Sequence, residues 1–305
     1  MLDDPTQGSC VGYEVRSHLT FATLRAGGGT PLYIHEQTDG ALRGKVVASW
    51  EPRPENPSRG RILKNGPRYG LWTSDTGWYT IDPTVPSIGV PAGVEPLKRE
   101  VRLFGVPAAI CAFEQGDISV HASAVEVNGM GILLAGPSRY GKTTLAAAFA
   151  QAGHRLLCED STRCRMTSPP SIFPGPSIFR LRSDVADSLH IGSAPASTSG
   201  EDGRVPLIVK PSVRGDGDAV PLQAVFLLHE GSDAPTLKRA PAVEALRDVF
   251  ALTFRLPGVE SSAECFTRVA RLTAEVPTFR LYRRMTIESL PEVVELVRRH
   301  LASAG

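Results

Sequence analysis

Residues 136–143, Gly136-Pro137-Ser138-Arg139-Tyr140-Gly141-Lys142-Thr143, meet the GxxxxGK[ST] pattern of a phosphate-binding loop. Each residue type in it has a physical task. The glycines let the backbone wrap phosphate groups closely, so that several N–H groups point inward and the following helix adds the positive end of its dipole. The Lys142 ammonium can reach β- and γ-phosphates, and the Thr143 hydroxyl can ligate Mg²⁺. With Thr144, the stretch 136–144 is the candidate nucleotide site, and ATP with Mg²⁺ is the expected cofactor pair. Arg139 and Tyr140 are bulky for such a loop, but side chains at these positions can point outward.

Mg²⁺ requires hard oxygen ligands. Glu159-Asp160 supplies two carboxylates at the end of an expected short strand, Arg155–Cys158. Consecutive residues on a strand face opposite ways. One carboxylate is therefore expected to serve the metal and the other to reach a phosphoryl acceptor; the bland alternative is a pair that caps a turn. His121 is a further candidate, for which the alternative is a satisfied core histidine.

The elements around the loop are those that a phosphate loop needs. Ser123–Val127 reads as a strand, Asn128-Gly129 as a two-residue hairpin turn, and Gly131–Ala135 as a buried return strand. Lys142–Ala152 is an alanine-rich helix stopped by Gly153. This predicts an α/β fold with a mixed sheet, because a hairpin feeds the loop. Further on, Pro206–Val209, Ala224–His229 and Thr278–Tyr282 read as strands, and Val243–Phe254 and Ala263–Ala274 as helices. In the last helix Leu290, Val293, Val294, Val297 and Leu301 share one face. Residues 192–204 and 212–219 read as surface loops, the expected place for a substrate-gating segment; one of Arg204, Lys210 and Arg214 is a candidate phosphate contact, the alternative for each being solvated loop charge.

Two domains are expected. Residues 1–98 are β-rich and carry all three tryptophans, Trp50, Trp72 and Trp78, in short runs between turn residues. Packing explains such aromatics; substrate docking is the other reading. Val90–Glu100, with two prolines, is the expected linker, and residues 101–114 the first helix of a catalytic domain over 99–305.

Composition sets the outer limits. Of 305 residues, 42% are hydrophobic, enough for a sizeable core, and the net charge of +1 gives no basic excess of the kind nucleic-acid binders carry. Five scattered cysteines with no CxxC pair indicate free thiols rather than a zinc ribbon or redox motif. Neither a signal sequence nor an 18-residue apolar run is visible, so no membrane association and a cytoplasmic location are expected.

The string His121-Ala-Ser-Ala-Val-Glu-Val-Asn-Gly-Met-Gly-Ile-Leu-Leu-Ala-Gly-Pro-Ser-Arg-Tyr-Gly-Lys-Thr-Thr-Leu, followed by Gly153-His154-Arg155-Leu156-Leu157-Cys158-Glu159-Asp160, resembles the catalytic core of the HPr kinase/phosphorylase family. The likeness covers about 40 residues, including the spacing of fifteen from His121 to Gly136. It implies an architecture close to that of phosphoenolpyruvate carboxykinases and transfer of phosphate to a serine of a protein or peptide. It also implies Glu159 as general base where the family usually has Asp, Asp160 holding or orienting Mg²⁺ with Thr143, Lys142 at the γ-phosphate, His121 near the γ-phosphate or Glu159, and a homo-oligomer as the common assembly. Residues 1–98 do not resemble the N-terminal domain of the carrier-protein kinases. The chain looks more like the shorter HPr-kinase-like serine kinases, some of which phosphorylate a serine of a ribosomal peptide precursor, lasso-peptide precursors among them. Two other readings stay open: a kinase of a small hydroxylated molecule, and a nucleotide-sensing module without phosphotransfer.

Overall fold

A computed structural model describes residues 4–37, 42–53, 57–189, 203–209, 217–231, 233–256 and 258–303. The chain begins with eight strands: β1 Thr6–Cys10, β2 Tyr13–Arg16, β3 Thr30–Gln37, β4 Lys45–Trp50, β5 Gly60–Asn65, β6 Arg68–Thr73, β7 Gly77–Asp82 and β8 Ser87–Pro91. They form one sheet in the order β1-β2-β3-β8-β7-β6-β5-β4. Period-two alternation turns Tyr13, Val15, Tyr79 and Ile81 to the core. Trp72 and Trp78 face each other across β6 and β7, with Arg61 over both rings.

Two helices follow, α1 Pro96–Leu103 and α2 Val106–Glu114. The single helix expected over 101–114 is thus broken, and the expected linker is partly structured. Pro96 and Pro107 each stand in a first turn, where a missing N–H costs nothing, and Gly105 takes the non-helical cap between the two helices. Glu95 caps α1 by accepting from the Leu97 and Lys98 amides.

The remaining elements are β9 Ile118–Val127, β10 Met130–Ala135, α3 Lys142–Gln151, β11 Arg155–Cys158, β12 Ser161–Arg165, β13 Ser171–Ile172, β14 Ile178–Arg182, α4 Ser183–Leu189, β15 Arg204–Ile208, β16 Val220–Glu230, β17 Thr236–Arg239, α5 Ala242–Ala251, α6 Val259–Glu275, β18 Thr278–Arg283 and α7 Leu290–Ser303. Asn128 and Gly129, both at positive φ (53° and 79°), turn β9 into β10. The second sheet runs β10-β9-β12-β13-β16-β18-β17, with β11 on β9 and a further parallel pairing of β10 with β16. It is mixed, as the hairpin predicted: β10, β16 and β18 are parallel neighbours, while β9 and β17 run against them. The parallel strands therefore end at one edge, the usual ligand edge of such sheets. β14 and β15 pair as a separate antiparallel ribbon.

One apolar layer lies between this sheet and α3, α4 and α7, with Ile132, Leu134, Phe149, Phe226, Leu281 and Val297 at its centre. All five expected residues of the α7 face are buried, each contributing ~1.5–3 kcal/mol. The other layer is continuous from Tyr13, Leu32 and Ile81 of the first sheet through Ile110 and Phe113 to Val120, Leu133 and Val225 of the second. All five cysteines are buried thiols. Among the described residues, no helix is long and apolar enough to cross a membrane.

Candidate active site

The candidate phosphate loop, residues 136–143, leaves the end of β10 at the edge where the parallel strands end. Gly136 is buried and residues 137–140 are exposed, so Arg139 and Tyr140 do point outward. Gly141 is left-handed (φ 72°, ψ 27°) and starts α3 with no side-chain cap. The first amides of α3 thus have no capping side chain, the condition under which a helix N-terminus can receive an anion. Lys142 is buried (6% exposed), and its ammonium donates to the carbonyls of Gly136 (2.9 Å) and Pro137 (3.0 Å). Burial lowers its pKa; Asp160 and Glu159 oppose this, and Arg204 adds to it.

Glu159 and Asp160 lie in the bend between β11 and β12, just past a register shift of β11 on β9. That bend overturns the expectation of opposite faces: both carboxylates turn to one guanidinium, that of Arg180 on β14. Arg180 Nε donates to Glu159 Oε2 (2.8 Å) and Nη2 to Asp160 Oδ2 (2.9 Å). Glu159 Oε1 accepts from the Thr143 hydroxyl (2.9 Å), and Asp160 Oδ1 lies 3.1 Å from His121 Nδ1. The result is a chain of contacts, Thr143–Glu159–Arg180–Asp160–His121, beside the phosphate loop. The Ser123 hydroxyl donates to the Glu159 carbonyl and fixes the bend from β9.

The two acids differ in access. The Glu159 side chain is 5% exposed, whereas that of Asp160 is 47% exposed and that of His121 39%. Partial desolvation alone would raise the Asp160 carboxyl, but His121 and Arg180 hold it well below the usual carboxylate range. Glu159 beside Arg180 raises the guanidinium pKa, burial opposing and Asp160 adding.

The structure thus brings Lys142, Thr143, Glu159, Asp160 and His121 into one cluster. It puts Glu159, not Asp160, against Thr143. Arg204 opens β15 opposite Arg182, close enough for its charge to act on Lys142. Lys210, Arg214 and most of the two expected gating loops lie outside the described residues.

Neither Arg180 nor Arg283 has a site role assigned from sequence; Arg180-Leu181 enters only as part of a looser continuation of the family likeness. On its strand Arg180 is an alternating position between the buried Phe179 and Leu181. Arg283, at the end of β18, is 2% exposed; its Nη2 donates to the carbonyls of Tyr140 (3.1 Å) and Gly141 (3.4 Å), and its Nε has no partner. A Cβ on Gly141 would lie 2.4 Å from that Nη2 and would displace the guanidinium tip, while the positive φ is what favours glycine here.

Thr143 Oγ1 and Glu159 Oε1 are hard donors suited to the protein side of a Mg²⁺ shell that a nucleotide completes. Among the described residues, no group of three or more His, Cys, Asp or Glu is placed to hold a metal without such help.

No family model matches the chain. Over 42 residues, 14% of this chain, it is 55% identical to the HPr kinase/phosphorylase of Lactobacillus delbrueckii subsp. bulgaricus and 48% identical to that of Lactobacillus acidophilus. This bears out the resemblance to that family, in a segment that spans 13% of the length of each relative. The solved Hpr(Ser) kinase/phosphatase from Coxiella burnetii aligns over 61% of this chain and 99% of its own, at 13% identity and a TM-score of 0.30, too low to bear on the fold.

Proposed function

We propose that this chain, HPr kinase/phosphorylase-like in sequence around its phosphate loop, is a kinase that transfers the γ-phosphoryl group of ATP to a serine hydroxyl of a protein or peptide. The observation that carries this reading is the Thr143–Glu159–Arg180–Asp160–His121 chain at the mouth of an uncapped helix N-terminus.

In this reading the amides at the start of α3 bind the phosphates, and Lys142 turns from the loop carbonyls to them. Mg²⁺, when bound at Thr143 and Glu159, supplies neutralisation of phosphate charge. The acceptor hydroxyl arrives on the open side, where Asp160 and His121 meet solvent. Its oxygen attacks the γ-phosphorus, the bond to the β–γ bridging oxygen breaks, ADP leaves, and the hydroxyl proton passes to a carboxylate. The family likeness gives that task to the Glu159 position; access favours Asp160. A carboxylate held as low as Asp160 is a weak base, so its main work is to orient the hydroxyl. Orientation suffices where the transition state is loose and catalysis is mostly positioning and charge stabilisation. Residues 1–98 form the docking unit for the acceptor, and a ribosomal peptide precursor is the finer substrate proposal. The protein acts in the cytoplasm.

The test is mass spectrometry of a serine peptide library, candidate carrier proteins and small-molecule extracts after incubation with Mg-ATP, with Lys142→Ala as control. A gain of about 80 Da, the mass of HPO₃, on peptide or protein serine is expected, reduced at least ~10²-fold in the control. Phosphate on small molecules alone, or nucleotide binding with no acceptor modified, overturns the reading.

A further inference from the structure

We infer that Arg180 is a built-in cation: it fills the gap between Glu159 and Asp160, so the carboxylate pair is closed to divalent metal until a nucleotide brings the ion to the Thr143 side.

The four carboxylate oxygens each already have a donor. Glu159 Oε1 has Thr143, Glu159 Oε2 and Asp160 Oδ2 share Arg180, and Asp160 Oδ1 has His121. The two bonds from the guanidinium are charge-assisted, and its planar fork suits two acceptors side by side. A metal ion bridging both acids would have to break both bonds and strand a positive guanidinium beside itself. Arg180 cannot easily withdraw. Its strand is paired with β15 at every residue from Ile178 to Arg182, and its neighbours Phe179 and Leu181 are anchored in the core. Glu159 is nearly inaccessible, so removing the guanidinium would leave a buried charge that another cation must compensate.

The consequence concerns Asp160. Sequence reasoning paired it with Thr143 as a metal ligand, but the guanidinium and His121 occupy both of its oxygens, and Thr143 is bonded to Glu159 instead. Arg180 is therefore a positioning residue: it keeps the two acids apart in role, Glu159 toward the loop and Asp160 toward solvent. This division of roles rests on the phosphoryl-transfer reading; the metal-binding behaviour does not.

The experiment is Mn²⁺ titration followed by electron paramagnetic resonance, on full-length protein without nucleotide. Wild type and Arg180→Lys, which keeps a cation in the gap, are expected to bind no Mn²⁺ above background in the millimolar range. Arg180→Ala and Arg180→Gln are expected to gain a site at least about tenfold tighter, lost again when Asp160→Asn is added. Circular dichroism establishes that each variant is folded, and the Gln variant stands in if the Ala variant is not. Nucleotide-free wild type binding Mn²⁺ as tightly as Arg180→Ala would overturn the inference, as would folded Ala and Gln variants that gain nothing. Absence of ATP-analogue binding to wild type would instead count against the kinase reading alone.

Discussion

A guanidinium shared by two acids ties the charge state of Asp160 to the stability of the fold. The Asp160 carboxyl is held below its ordinary value in the folded protein. Its contribution is therefore present above the unfolded pKa of about 3.9 and is lost as pH falls toward the folded value. Asp160→Asn should be less stable than wild type at pH 7, and the gap should narrow progressively below about pH 4. Urea midpoints at pH 7 and pH 3 check this; a gap independent of pH would mean that the ionised carboxylate contributes nothing. Kinetics separate the two acids. Asp160→Asn should lower kcat with ATP binding retained, whereas Glu159→Gln, in contact with Thr143, should also raise the KM for Mg-ATP.

At the scale of elements, the phosphate loop is held by more than its own sequence. β18 delivers Arg283 to the carbonyls of Tyr140 and Gly141 from the neighbouring parallel strand but one. Gly141→Ala should cost about 1–3 kcal/mol of stability, because it adds left-handed strain to a collision with the guanidinium, and it should weaken ATP binding. Arg283→Ala should relieve part of that collision, so the double variant should be less destabilised than the sum of the two singles. Denaturant titrations of the four proteins check it, and simple additivity would show that the clash has no energetic weight. The same scale explains why sequence alone assigns Arg180 no role at the site. Its strand is a five-residue ribbon whose partner, β15, comes after a long intervening segment, so nothing local to Ile178–Arg182 says which carboxylates it will face.

For the whole molecule, the first sheet is joined to the second by buried polar ties as well as by a shared core. Arg163 of β12 bonds Asp117, with Nη2 2.6 Å from Oδ2; it also donates to the Val11 carbonyl and lies between the rings of Tyr13 and Phe173. Arg25 donates to the carbonyls of Gly175 and Leu156, the latter three residues before Glu159. Arg163→Met should cost about 3 kcal/mol or more, since it leaves Asp117 buried without its cation. Tryptophan fluorescence reports on the first sheet alone, because all three tryptophans lie there, while far-ultraviolet dichroism is dominated by helices that, among the described residues, lie after residue 95. With one continuous core, the two signals should trace a single urea transition. Two separated transitions would mean that residues 1–98 fold as an independent unit.

The sequence by itself determined what depends on near neighbours along the chain. The glycine spacing and Lys142-Thr143 defined the loop, Asn128-Gly129 the hairpin, the alanine run the helix, and the apolar period the buried face of α7. It also singled out His121, Glu159 and Asp160 as candidates, because their spacing to the loop follows a family pattern. Only the tertiary structure decided which carboxylate meets Thr143, because a register shift and a bend replaced the straight strand that sequence reasoning assumed. It alone brought Arg180 and Arg283 to the site, from strands 20 and more than 120 residues beyond Asp160. Side-chain chemistry is written in the residue, but the distance over which a charge acts is set by the fold, and at close range that distance decides what the charge can do.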